Sequence, residues 1–132
     1  MRQEERATGP TVGAAGRPDD PRARVLVEVA EVRDRLDAVQ LLDVRWNLGA
    51  PEGAGRLAYR AGHLPGARSL DLEAVLTGPT DDPLLGRHPL PDADRVTAGL
   101  NALGTDPTLP IVVYDEPGSF AAGRAWWVLR WL

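Results

Sequence analysis

Two short apolar runs constrain this chain most: VQLLDV at 39–44 and PIVVY at 110–114. Neither alternates apolar with polar residues, and both are shorter than a domain-sized helix. The first suits a buried strand of a parallel sheet, and the second is the clearest strand in the chain. The second is bounded by Pro107 and by Glu116-Pro117-Gly118. Before it, Asp92 is placed to cap a helix carrying Ala93, Val96, Leu100 and Leu103 on one face, with Gly104 stopping it. Ala67–Leu72 reads as a short strand leading into helical turns up to Leu76. Val25–Val27 reads as a β-rich start, followed by Val29, Val32 and Leu36 at helical spacing. Residues 47–91 hold six of the twelve prolines, so most of that stretch is expected to be irregular. The order strand, helix, strand, loop, helix, strand, helix describes an α/β domain: a parallel sheet flanked by helices, with right-handed crossovers.

The last segment, SFAAGRAWWVLRWL (119–132), is apolar on nearly every side except at Arg124 and Arg130. Its tryptophans, Trp126, Trp127 and Trp131, raise the idea of membrane contact. Fourteen residues are too few to span a bilayer, which takes roughly 20. A helix covered on both sides within an α/β layer has the same composition, and that core placement is the expectation. The sequence ends at Leu132 inside this helix, so the domain is expected to be C-terminally incomplete, truncated before its last strand.

A length of 132 residues suits one domain with a real core. Residues 1–24 have almost no large apolar side chains and mix Gly, Pro and both charge signs, so they are expected to form a disordered N-terminal tail ahead of a domain at 25–132. They contain no apolar core of a secretory signal, and the expected compartment is the cytoplasm. There is no lysine, and the net charge is −4, a poor basis for binding nucleic acid. There is no cysteine either. That excludes disulfides, zinc–cysteine sites, iron–sulfur ligation and a thiol nucleophile. His63 and His88 stand apart, without the close His/acid pairs that mark ligand sites, so no metal is expected. No Gly-rich phosphate loop and no Ser/His/Asp motif is present, and no cofactor is expected.

In open parallel sheets, ligands bind beyond the carboxyl ends of strands. Two such ends are legible here. At the first, Asp43 and Arg45 are two apart and share a face, where an ion pair would brace the strand end. At the second, Asp115-Glu116-Pro117-Gly118-Ser119 leads into a helix whose N-terminal N–H groups favour an anion. Asp115 is itself able to accept those bonds, either filling the site with the protein's own carboxylate or simply capping the helix. In Gly62-His63-Leu64-Pro65-Gly66 the Pro-Gly pair suits a type II turn, with His63 holding the loop by hydrogen bonds. Arg87-His88 lies in a loop suited to an anion or to a partner surface.

The stretches LLDVRW (41–46), AYRAGHLPGARSLDLE (58–73), GRHPLP (86–91), IVVYD (111–115) and AGRAWWVLRWL (122–132) together resemble a rhodanese domain. They are most similar to the N-terminal, non-catalytic domain of tandem-domain thiosulfate and 3-mercaptopyruvate sulfurtransferases. The resemblance covers Val25 to Leu132 and implies a three-layer rhodanese-like fold. In catalytic members the strand matching IVVY ends in a cysteine that carries sulfur as a persulfide; here Asp115 stands at that position. A carboxylate often found nine residues before the turn histidine is replaced by Ala54, with Glu52 the nearest acid. The implied partner is a Cys-bearing rhodanese domain, on the same polypeptide or from a neighbouring gene, with a small anionic sulfur compound as substrate of the intact enzyme. The chain alone is expected to be inactive, with no catalytic residue. Asp43, Arg45, His63, Arg87 and His88 would be accessory or domain-interface residues. The other reading is a catalytically inactive rhodanese-like module that binds a protein or an anionic ligand.

Overall fold

The computed structural model describes residues 21–132, which belong to two compact units, one ending at Asp34 and the other spanning Arg35–Leu132. The expected tail therefore lies, up to residue 20, outside the described residues. In the first unit Pro21–Arg24 forms a turn of 3-10 helix, and Val29–Asp34 forms helix α1, which buries none of its residues. The β-rich stretch Val25–Val27 is exposed and in no strand. β-branched side chains favour a strand only where a neighbouring strand supplies the ladder, and among the described residues none does.

The second unit runs β1 (Gln40–Asp43), α2 (Ala54–Ala61), β2 (Arg68–Ser69), α3 (Leu72–Val75), α4 (Ala93–Ala102), β3 (Ile111–Tyr114) and α5 (Ala121–Trp131). A 3-10 turn at Pro83–Leu85 precedes α4. The strands form one parallel sheet in the order β2-β1-β3. β1 lies in the middle, and all four of its residues are buried, the polar Gln40 and Asp43 at its two ends included. Its register sets Asp43 beside Tyr114 on one side and beside Ser69 on the other. This pairing brings the carboxyl ends of β1 and β3 together.

Gln40 is the polar residue at the start of β1. Its amide donates to the carbonyls of Asp106 and Leu109 at 2.7 and 3.2 Å and accepts from the Asp106 N–H at 2.6 Å. A buried amide satisfied on both ends pins the turn before β3 to the sheet. Asp92 caps α4 by accepting from Arg95 N–H, and Gly104 follows in the left-handed conformation at φ 68°, as the sequence predicts.

Helix α5 departs from its sequence reading. Ala121, Ala125 and Val128, at spacings of four and three, are its buried residues and join Leu42, Val44, Leu70, Leu72, Leu76 and Val96 in the core. Trp126, Trp127 and Trp131 are instead 36%, 45% and 51% exposed. Small side chains on one face let the helix approach closely, so the bulky rings occupy the other face. There Trp127 stacks on Trp131 and Arg130 lies over Trp126.

Helix α2 also departs from expectation, since it forms within the stretch expected to be irregular. Gly53 caps its start at φ 79°. Gly55 sits so close to the Arg45 carbonyl that a β-carbon would collide with the backbone oxygen. That contact holds the helix against the end of β1. Gly55→Ala is therefore expected to lose about 1–3 kcal/mol of stability, read as a lower urea midpoint at unchanged slope. Gly62→Ala, with open space around it and an extended backbone, is expected to stay within about 0.5 kcal/mol of the parent.

Candidate functional site

The site is built where β1 and β3 end side by side. Asp43, 2% exposed, receives Arg45 Nε at 3.0 Å on each oxygen and Nη2 at 2.7 Å on Oδ2. It also accepts from the Arg45 backbone N–H at 3.1 Å and from the Tyr114 hydroxyl at 2.9 Å. Every lone pair that burial denies to water is thus met inside the protein. Burial alone pushes the Asp43 carboxyl up. The hydrogen bonds from Arg45 and Tyr114 and the Arg45 charge outweigh it and hold the group below the ordinary aspartate range. For Arg45 the hydrogen bond to Asp43 leads, and the guanidinium is raised. Burial raises the Tyr114 phenol, and its bond to the carboxylate adds to that shift.

From this centre two loops are held. Arg45 Nη2 donates to the Gly62 carbonyl at 2.6 Å, and the Leu64 N–H donates to the Tyr114 oxygen at 3.2 Å. Both partners belong to the turn that carries His63. On the other side Arg45 Nη1 stands 3.9 Å from Glu116, which also accepts from Asn47 at 3.5 Å. The ion pair expected between Asp43 and Arg45 is therefore present, and it is the centre of a larger cluster.

His63 lies in the turn but does not enter the cluster. Its ring stacks on Tyr59 at 3.8 Å, and Nδ1 meets the Tyr59 carbonyl oxygen at 2.7 Å. Because a carbonyl only accepts, Nδ1 carries the proton, and the bond fastens the turn to the end of α2. Tyr59 also donates to the Ala67 carbonyl at 2.7 Å, closing the turn from its far side.

Arg87 and His88 are adjacent in sequence but separate in role. Arg87 is exposed and has no partner among the described residues. His88 stands edge-on to Trp46 at 5.1 Å, with Nε2 4.0 Å from Glu73. Trp46 donates its indole N–H to the same Glu73 oxygen at 3.3 Å and meets Phe120 at 5.6 Å. Arg124 fixes the loop from below, donating to the carbonyls of Leu76 at 2.8 Å, His88 at 3.1 Å and Pro89 at 3.0 Å. Burial pulls its guanidinium down. A cleft of about 60 Å³ opens beside Arg45 and Trp46 and is bordered by Glu52, Ala54, Gly55 and Glu73.

Asp115 is committed to α5. Its carboxylate accepts from the Ala122 N–H at 2.8 Å, and Ser119 Oγ accepts from Ala121 N–H at 3.2 Å. The first free amides of the helix are therefore occupied by this chain's own oxygens.

Sequence reasoning singled out neither Tyr114 nor Glu116, Trp46 or Arg124. Tyr114 was accessible in principle, because two adjacent parallel strands of four residues bring their last residues level. Arg124 had a signal too: it is one of only two charges in an otherwise apolar helix.

A three-stranded parallel sheet flanked by helices, with a polar cluster at the carboxyl ends of adjacent strands, defines an α/β domain. The chain belongs to the rhodanese-like domain family, which it matches over residues 28–132. A Mycobacterium tuberculosis protein named "Putative thiosulfate sulfurtransferase SseB" is 41% identical over 111 residues, which are 82% of this chain and 38% of that protein. A Pseudomonas aeruginosa protein named "Probable 3-mercaptopyruvate sulfurtransferase" is 44% identical over 93 residues, 70% of this chain and 32% of its own length. Among solved structures, 3-mercaptopyruvate sulfurtransferase from Leishmania major superposes with a TM-score of 0.71 at 28% identity, over 79% of this chain and 28% of that one. The chain spans about a third of the length of these relatives. It is a rhodanese domain related to sulfurtransferases, and the absence of any cysteine fits a non-catalytic one. Among the described residues no helix is long and apolar enough to cross a membrane.

The Asp43 cluster makes a prediction about acid. A carboxyl held below its ordinary value of 3.8 contributes stability that is full above that value and is lost as pH falls through the lower, folded value. Asp43→Asn is expected to cost about 2–3 kcal/mol at neutral pH and to flatten the fall in stability below about pH 4. Urea titrations of both proteins between pH 7 and pH 2.5 measure this. An unchanged acid slope in the variant would assign that loss to other carboxylates.

Proposed function

We propose that this chain serves as the non-catalytic N-terminal rhodanese domain of a cytoplasmic sulfurtransferase, with residues 1–24 as a tail and the domain beginning near residue 25. In this reading a second, cysteine-bearing rhodanese domain performs the chemistry, whether on the same polypeptide or encoded nearby. Its thiolate attacks the outer sulfur of thiosulfate, expelling sulfite, or the thiol sulfur of 3-mercaptopyruvate, breaking the C–S bond and expelling pyruvate as its enolate. The resulting persulfide passes its outer sulfur to a thiophilic acceptor and regenerates the thiolate. This chain supplies a wall of the cleft and a surface for that domain, with Asp43 and Arg45 bracing the strand ends and the His63 turn and the Arg87-His88 loop forming the rim.

The observation that carries the reading is the state of the loop after β3. A nucleophile there would need a thiol aimed at open amides, whereas Asp115 places a carboxylate on Ala122 N–H. A carboxylate bound in this way has no sulfur chemistry, and no cysteine elsewhere in the chain replaces it. The named activities of the relatives support the choice of thiosulfate or 3-mercaptopyruvate as donor.

The purified chain, given thiosulfate and cyanide, is expected to form thiocyanate no faster than buffer alone. Mixed with the part of the mycobacterial relative that this chain does not span, it is expected to co-elute as a complex. Thiocyanate formation by the chain alone would overturn the non-catalytic assignment. A folded monomer that ignores that segment would favour an inactive binding module.

A further inference from the structure

We propose that the Tyr114 hydroxyl is a latch on the His63 turn, and that the ionisation of Asp43 sets whether the latch is closed. The hydroxyl lies between the Asp43 carboxylate, to which it donates at 2.9 Å, and the Leu64 N–H, from which it accepts at 3.2 Å. The direction of this chain of bonds is dictated at both ends. An ionised carboxylate only accepts, and a backbone N–H only donates, so the phenol proton must point to Asp43 and its lone pair to Leu64. Once Asp43 carries a proton, or is replaced by an amide, that demand weakens. The phenol proton is free to turn, and the Leu64 N–H loses its assured acceptor.

The same event releases the turn's second tie. Arg45, which donates to the Gly62 carbonyl at 2.6 Å, is oriented by its paired bonds to Asp43. The charged and titratable groups around Asp43 are Arg45 after β1, Tyr114 on β3 and, through Arg45, Glu116 beyond β3. From β2 the neighbour in register is the neutral Ser69. His63, in the turn itself, is engaged by the Tyr59 carbonyl. One carboxylate thus orders both ties between the sheet and the turn, and the inference holds whether or not the domain works with a partner.

Amide hydrogen exchange on the full 132-residue chain tests it. Tyr114→Phe keeps the ring and removes only the hydroxyl. It is expected to lower Leu64 protection at least tenfold while β1 amides keep theirs. In the parent, Leu64 protection is expected to fall on acidification before β1 protection does, and Tyr114→Phe to show no such early step. Leu64 protection unchanged in Tyr114→Phe, or lost in the parent only together with β1, would overturn the proposal. If Tyr114→Phe fails to fold, Asp43→Asn serves, with Leu64 already unprotected at neutral pH as the expected result and parent-like protection as the overturning one.

Discussion

A carboxylate as buried as that of Asp43 is costly at a strand end unless charge and hydrogen bonds meet it. Here Arg45 meets it from the same chain segment and Tyr114 from the neighbouring strand. The first contact is local and follows from alternation along the chain. The second exists only if β1 and β3 pair in the observed register. A slip of one residue would move Tyr114 away and leave Asp43 with a single partner. The cluster therefore specifies register as well as contributing stability, and the His63 turn, tied through Gly62 and Leu64, inherits that specification.

The same economy appears around Arg124. A half-buried guanidinium with three carbonyl acceptors and no carboxylate contact holds backbone in place. It fixes the segment after α3 and the segment around His88 to α5, so that His88 can stand against Trp46. Cations are satisfied by carbonyls when these converge with fixed geometry. The convergence of Leu76, His88 and Pro89 depends on α3 and α5 already being docked. The rim of the candidate site is thus a consequence of core packing, not an independent loop structure.

Strands β1 and β3 and the α4 cap were legible because their causes are local, whereas Val25–Val27 has β-branched residues but no partner strand among the described residues. Each of these strands shows as a short run built on large apolar residues, Leu41 and Leu42 in β1 and Ile111, Val112 and Val113 in β3, and Asp92 and Gly104 mark their helix by backbone chemistry alone. Helix α2 was not legible because nothing in GRLAYR signals burial, and indeed none of its residues is buried. It is placed by the close approach of Gly55 to the Arg45 carbonyl, a contact known only once the chain is folded. Helix α5 misled for a different reason. Apolar side chains all round suggest cover all round, but packing distance is set by the smallest face. Ala121, Ala125 and Val128 won that face over the tryptophans. At the site, the Asp43–Arg45 pair could be read from spacing, whereas Tyr114 required knowing which strand lies next to β1.

Asp115 joins these observations to function. A helix N-terminus after a parallel strand attracts negative charge, and a chain can meet that attraction with a bound ligand, a reactive anion or a carboxylate of its own. Here the carboxylate lies on Ala122 N–H, with Ser119 on Ala121 N–H beside it. The electrostatic need of α5 is therefore met within the fold. The end of β3 is thus shaped by backbone amides and acceptors of the chain's own. Shaping a strand end in this way and carrying sulfur there, the task proposed above for the partner domain, are separate demands. The first needs only the backbone amides and an acceptor, and Asp115 provides the acceptor; the second needs a thiol, which this sequence does not contain.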